Sequence, residues 1–190
     1  ACVDEARNLI ERHNVVAIVV NRLASESDIC RRLCETFGDA IDVKLLTGRM
    51  RPLDRDDILQ SLRPRIMTGR NRASVEKKLV VVGTQCIEAG ADFDFDALVT
   101  EAASLDALRQ RFGRVDRLGA YQSSENVIVR DRSVKNDPVY GEAISSTVAW
   151  IKKGLVKKTK TIDFGVLSLP RPTDDELKEL LAPKEHAPVL

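Results

Sequence analysis

Between Gln110 and Arg117 the chain reads QRFGRVDR, and with Arg109 this sets arginines at 109, 111, 114 and 117 along a helix and the turn after it. Arg114 and Arg117, three residues apart, can point the same way. A guanidinium is planar, forked and always protonated. Two of them converging on one point suit a triphosphate, whose charge in transit spreads over several oxygens. Gly113, between them and Gln110, allows a neighbouring segment to come close. A solvated basic helix is the ordinary alternative for a run of arginines. Gln110, Arg114 and Arg117 are the candidate catalytic residues, and Gly113 a candidate nucleotide-binding position.

A second stretch, Val81–Asp92, reads VVGTQCIEAGAD: a buried strand, Thr84 at its end, then Glu88, Gly90 and Asp92. A short hydroxyl and backbone N–H groups at a strand end form a cradle for phosphate. Standing alone, Asp92 would be a plain loop carboxylate. Two further apolar runs end in polar residues, Val19–Arg22 (VVNR) and Leu45–Arg55 (LLTGRMRPLDR). From Arg49 to Lys78 there are nine basic and four acidic residues, an excess of five positive charges that suffices for a patch tracking a nucleic-acid backbone. For the 63–78 portion an ordinary solvated loop is an equal alternative.

These residues need elements to hold them. Apolar, non-alternating runs at 15–20, 41–46, 78–82, 98–99 and 127–129 read as strands. Helical patterns lie between them: residues 3–13, 25–37 with Ile29, Leu33 and Phe37 on one face, a helix from near Asp54, one capped by Ser104 through Phe112, and one over 137–153. Such alternation predicts an α/β fold, a parallel sheet with helices on both faces, and places ligands at the carboxyl ends of the strands. Pro64–Ser74 lacks periodicity and reads as a mobile loop. Thr173–Glu176 (TDDE) resembles a capping box opening a short helix. The chain divides by this reading into a domain over 1–168 and, over 169–190, a short helix and extended tail leading to a further region.

Composition limits the rest. The 190 residues carry a net charge of +1 and only 4% aromatics, which argues against a base-stacking platform. Four scattered cysteines and two histidines, His13 and His186, match no zinc spacing and no disulfide framework. No metal ligands are therefore expected, and a reducing, cytoplasmic setting is. No apolar run is long enough to span a bilayer, so no membrane partner is expected. No Gly-x-x-x-x-Gly-Lys-Ser/Thr phosphate loop occurs, and no Gly-x-Gly-x-x-Gly follows a strand, which counts against a Rossmann-type enzyme.

The string from Gln110 to Arg117 resembles motif VI of superfamily 2 helicases, Gln-x-x-Gly-Arg-x-x-Arg, and Val81–Asp92 resembles their motif V. Val19–Arg22 looks like motif IV, and Leu45–Arg55 like the family's next phosphate-contacting segment, with Thr47 where relatives often carry His. The resemblance spans residues 15–165 and implies the second RecA-like domain of an ATP-dependent motor. It implies Gly90, Asp92 and Gly113 near ATP, and Asn21, Arg22, Thr47, Gly48, Arg49, Thr84 and Gln85 at the nucleic acid. The family holds ATP and Mg2+ chiefly on the first RecA-like domain, so this chain alone is expected to be inactive.

Thr84, Gln85 and Glu88, then Asp94–Asp96 (DFD) and Val99–Glu101 (VTE), are most similar to the CRISPR-associated helicase–nuclease of type I systems. Pro138–Glu142, Asp163–Gly165 and the terminal His186–Leu190 match that family too, the last its subtype U variant. Membership implies movement 3′ to 5′ along single-stranded DNA. It also implies as partners a first RecA-like domain, an HD nuclease domain and an RNA-guided surveillance complex. A DNA-repair translocase, a DEAH-type RNA helicase and a non-catalytic nucleic-acid-binding module are the alternatives.

Overall fold

The computed structural model describes residues 1–48, 50–73, 75–88, 92–121, 123–131, 137–156, 158–165 and 167–182. Two of the expected site residues, Arg49 and Gly90, lie outside that set, as does the terminal 186–190 match. The chain divides into two compact units, Ala1–Glu101 with Gln110–Arg130, and Ala102–Arg109 with Asp131–Leu190.

The first unit is built on five parallel strands: β1 (Val15–Val19), β2 (Ile41–Leu46), β3 (Lys78–Gly83), β4 (Ala97–Glu101) and β5 (Glu125–Val129), in the order β2-β3-β1-β4-β5. β1 is central and wholly buried, which is why its sequence is an unbroken apolar run and does not alternate. Its two faces feed separate cores. Val16, Ile18 and Val20 pack with helices α1 (Cys2–Arg12) and α2 (Leu23–Phe37). Val15, Ala17 and Val19 pack with α3 (Pro52–Ile66) and the segment around Phe93–Phe95. The expected α/β sheet with helices on both faces is therefore present.

Two boundaries differ from expectation in this unit. α3 begins at Pro52, whose fixed φ suits a first helical turn, and it continues through Pro64 to Ile66. Pro64 costs one hydrogen bond, but the same turn seats Leu62 and Ile66 against the sheet, both fully buried. The segment after it, 67–73, is irregular as expected, but its start is anchored to the chain around Phe93. Met67 bridges Phe93, the Asp94 N–H donates to the Ile66 carbonyl at 2.6 Å, and the Thr68 N–H donates to that of Asp92 at 3.0 Å.

In the second unit, α5 (Ala143–Gly154) starts six residues later than the pattern suggested. Asp137 Oδ1 accepts the N–H groups of Val139 and Tyr140, and Gly141 takes φ +53°, a turn that a helix cannot contain. α6 (Asp174–Leu180) opens with the expected capping box: Thr173 Oγ1 accepts the Glu176 N–H, and Glu176 accepts that of Thr173. The Thr147 hydroxyl reaches the Leu180 carbonyl at 3.4 Å, tying α5 to α6.

α4 (Leu105–Phe112) belongs to the second unit over its first five residues and to the first unit thereafter. Ser104 supplies its carbonyl to the Leu108 N–H, but its hydroxyl is buried without a partner among the described residues and makes no cap. Among the described residues no helix is long and apolar enough to cross a membrane.

Candidate functional site

Val19 lies opposite Gly83 and Thr100, and Gly83 opposite Leu46, so four strands end at one level of the sheet. Thr47 and Thr84 follow directly, and Asn21 comes one residue later, after Val20. Gly83 is obligatory there: a Cβ would fall 2.7 Å from the Leu46 carbonyl oxygen and 2.8 Å from the Ile87 side chain. That close approach turns the chain into the short 3-10 helix Gln85–Ile87 and leaves Thr84 in the corner beside Thr47. Thr84 is buried, Thr47 and Gln85 half-buried, and Gly48 and Arg22 exposed.

Glu26, from the first turn of α2, fills the corner between the threonines. Its residue is 2% exposed, and the hydroxyls of Thr84 and Thr47 hydrogen-bond to its carboxyl group. Burial outweighs those two bonds and pushes its pKa up to about 7.

Arg111 is 0% exposed and joins the neighbouring strand ends. It donates to Glu88 Oε1 (2.8 Å), Thr100 Oγ1 (2.7 Å), the Glu101 carbonyl (3.1 Å) and Asn21 Oδ1 (3.2 Å). Asn21 was expected to face nucleic acid. Its side chain is instead turned inward by Arg111, its N–H donates to Glu101 Oε2 at 2.7 Å, and its carbonyl accepts from Gln85 Nε2 at 3.3 Å. Of the four arginines in the run, this one is structural.

Arg114 and Arg117 behave differently. Arg114 donates to the Glu88 carbonyl at 2.6 Å, its Nε is buried without a partner, and it has no carboxylate partner among the described residues. Burial, with the positive charge of Arg117 nearby, lowers its pKa from the usual guanidinium value; Asp92 opposes that shift. Arg117 pairs with Asp92, whose Oδ1 also accepts from the Thr68 hydroxyl at 2.8 Å. Asp116 winds the turn that carries them, at φ +46°, its Oδ1 accepting the Ala120 N–H and its Oδ2 that of Tyr121. Arg114, Arg117 and Asp92 are thus brought together, while Gln110 and Gly113 are exposed at the end of α4. Two guanidiniums, one lacking a carboxylate among the described residues, form a site where an anion would complete the charge balance.

The basic 63–78 region resolves in favour of internal pairing. Arg70 pairs with Asp96, both side chains fully buried, and the half-buried Arg72 pairs with Asp94, Asp96 and Asp116. Arg65 and Lys77 hold Asp42 at 2.5 and 3.0 Å, and Lys78 donates to the carbonyls of Ile10 and Glu11. The excess charge counted along the sequence is largely spent inside the unit. Arg51, the N-cap of α3, and Arg55, in its first turn, pair locally with Asp54 at 2.8 Å and Asp56 at 3.8 Å and stay exposed. Among the described residues no three His, Cys, Asp or Glu side chains converge as a metal site.

A parallel sheet of this order, with polar residues at its strand ends and an arginine-bearing turn after α4, defines a RecA-like α/β domain of the superfamily 2 helicase type. A model of the family "CRISPR-associated nuclease/helicase Cas3, C-terminal" matches residues 12–120, and the chain belongs to that family. It is 31% identical over 118 residues to the CRISPR-associated nuclease/helicase Cas3 of Streptococcus thermophilus, covering 60% of this chain and 12% of that protein. It is 35% identical over 103 residues to the Methanothermobacter thermautotrophicus protein of the same name, covering 54% of this chain and 11% of the relative. The crystal structure of T. fusca Cas3 with ADP superimposes with a TM-score of 0.65 at 19% identity, over 84% of this chain and 20% of that one. The chain therefore spans about an eighth of the curated relatives it matches.

Proposed function

We propose that this chain is the second RecA-like motor domain of an ATP-dependent helicase that moves 3′ to 5′ along single-stranded DNA in type I CRISPR interference. The carrying observation is Arg114: a half-buried guanidinium with no carboxylate partner among the described residues, beside Arg117 and Asp92. In this reading Arg114 and Arg117 act as arginine fingers on ATP bound mainly by a first RecA-like domain of the full-length protein. Charge grows on the oxygens of the phosphoryl group in transit, and preorganised guanidiniums stabilise it without proton loss. Gln110, Gly90, Asp92 and Gly113 would line the nucleotide's near side.

Backbone phosphates of the DNA would lie along the strand ends, met by Thr47, Gly48, Arg49, Thr84, Gln85 and the exposed Arg22. Asn21 would support that row from behind through its bond to Arg111. The magnesium ion belongs, in this reading, to the first domain, and this chain's residues have no part in holding it. An HD nuclease domain of the same protein and an RNA-guided surveillance complex are the proposed partners; one structural relative is described as a CRISPR RNA-guided surveillance complex before nicking.

A strand-displacement assay with the full-length protein tests the proposal. Duplexes with a 3′ single-stranded overhang should unwind with ATP, and those with a 5′ overhang should not. Unwinding of both alike, or without ATP, would overturn it.

A further inference from the structure

Glu26 is a carboxyl group with no cation, among the described residues, in the groups that set its charge state, and it is enclosed at the end of the sheet. The groups that face it are the hydroxyls of Thr47 after β2 and Thr84 after β3. The ionisable side chains that feel its charge are Cys30 on its own helix and Cys86 beyond Thr84, both thiols raised by burial and so neutral near pH 7. Its Oε1 is buried without a hydrogen-bond partner among the described residues. An ionised carboxylate can only accept, so it draws both hydroxyl hydrogens inward and leaves oxygen lone pairs facing out. A phosphate oxygen, also an acceptor, meets the wrong end of each hydroxyl and a like charge behind it.

We propose that Glu26 is the positioning residue of the Thr47–Thr84 cradle, and that a DNA phosphate enters it as Glu26 takes up a proton from solvent. The neutral carboxyl donates its O–H to one threonine oxygen. That hydroxyl is then free to give its own hydrogen to the phosphate. The charge that repels the phosphate is removed in the same step. This inference rests on the reading of Thr47 and Thr84 as nucleic-acid contacts. A pKa of about 7 makes the proton available at neutral pH.

The test is binding of a fluorescein-labelled oligothymidine to the 190-residue chain, by anisotropy from pH 6 to 8.5 at fixed ionic strength. One linked proton predicts that affinity falls roughly tenfold between pH 7 and 8.5. Glu26→Gln, a permanently neutral isostere, should keep the low-pH affinity throughout. A flat profile for the wild type, or an undiminished slope in Glu26→Gln, overturns the proposal. Thr47→Val and Thr84→Val separate it from the reading beneath: if they weaken binding while the wild-type profile is flat, only the role of Glu26 fails. If they leave binding unchanged, or no binding is found, the cradle fails and the proposal with it. Carbon-13 carboxyl NMR of the wild type needs no variant to fold. Glu26 should titrate near 7 and rise when the oligonucleotide is added; titration unmoved by DNA overturns the proposal.

Discussion

Replacing Arg111 with methionine keeps most of the side-chain volume and deletes at least the four hydrogen bonds described above. Glu88 loses a charged partner, and Asn21 Oδ1, the Thr100 hydroxyl and the Glu101 carbonyl each lose a donor inside the protein. Breaking one side of a buried ion pair costs about 3–5 kcal/mol, because the surviving charge stays desolvated. That is a fifth or more of the stability of an average domain, which is about 5–15 kcal/mol. With a urea dependence of about 2 kcal/mol per molar, the unfolding midpoint should fall by about 2 M. Arg111→Lys keeps a charge near Glu88 but loses the fork that reaches Thr100 and Asn21, so its midpoint should lie between the two. Adding Glu88→Leu to Arg111→Met removes the stranded carboxylate and should recover part of the loss. Urea titration followed by circular dichroism measures all four proteins. A loss below about 1 kcal/mol for Arg111→Met, or a lysine variant as stable as wild type, would refute the reasoning.

Salt dependence separates the proposed phosphate contacts from the internally paired arginines. If Arg22 and Arg49 are the charged contacts, log affinity for single-stranded DNA should fall with log salt at a slope of about −1.4, roughly sevenfold from 50 to 200 mM. A slope near −4 in an anisotropy series would mean that the internally paired residues of 63–78 bind DNA as well. Acid sensitivity should be traceable to Asp42, whose carboxyl is held below its usual range first by its bond to Arg65, then by Lys77, against burial. A depressed carboxylate adds stability above its unfolded pKa of about 3.9 and loses it as pH falls through the folded value. Asp42→Asn should therefore lower stability at pH 7 and flatten its decline below about pH 4 in thermal melts.

The sheet was legible because a strand buried on both faces must be apolar at every position, as β1 is. The capping box at Thr173 was legible because its chemistry is complete within four residues. Pairing of Arg70 and Arg72 with Asp94 and Asp96 was not, since it joins segments more than 20 residues apart that only the fold brings together. The arginine run shows the same limit at closer range. All four positions look alike by type, yet Arg111 stands three residues after the buried Leu108 and continues the inward face of α4. Arg114 follows the end of that helix at Phe112 and escapes its periodicity. A reading by helical spacing could have set Arg111 apart. Glu26 could have been found likewise: it extends the Ile29–Leu33 stripe by one turn, a carboxylate on a buried face. For Asn21 no local signal exists, because the guanidinium that turns it inward lies 90 residues away.

ATP turnover by the full-length protein under single-turnover conditions, with saturating single-stranded DNA, tests the central claim most directly. Arg114→Ala and Arg117→Ala should each lower the hydrolysis rate on the order of 10³-fold, with nucleotide binding changed far less. Lysine at either position should restore little, since it keeps the charge without the planar fork. Arg109→Ala, an exposed position of the same run, should turn over ATP like the wild type. Normal hydrolysis by the 114 and 117 variants, or an equal loss on changing Arg109, would contradict the account.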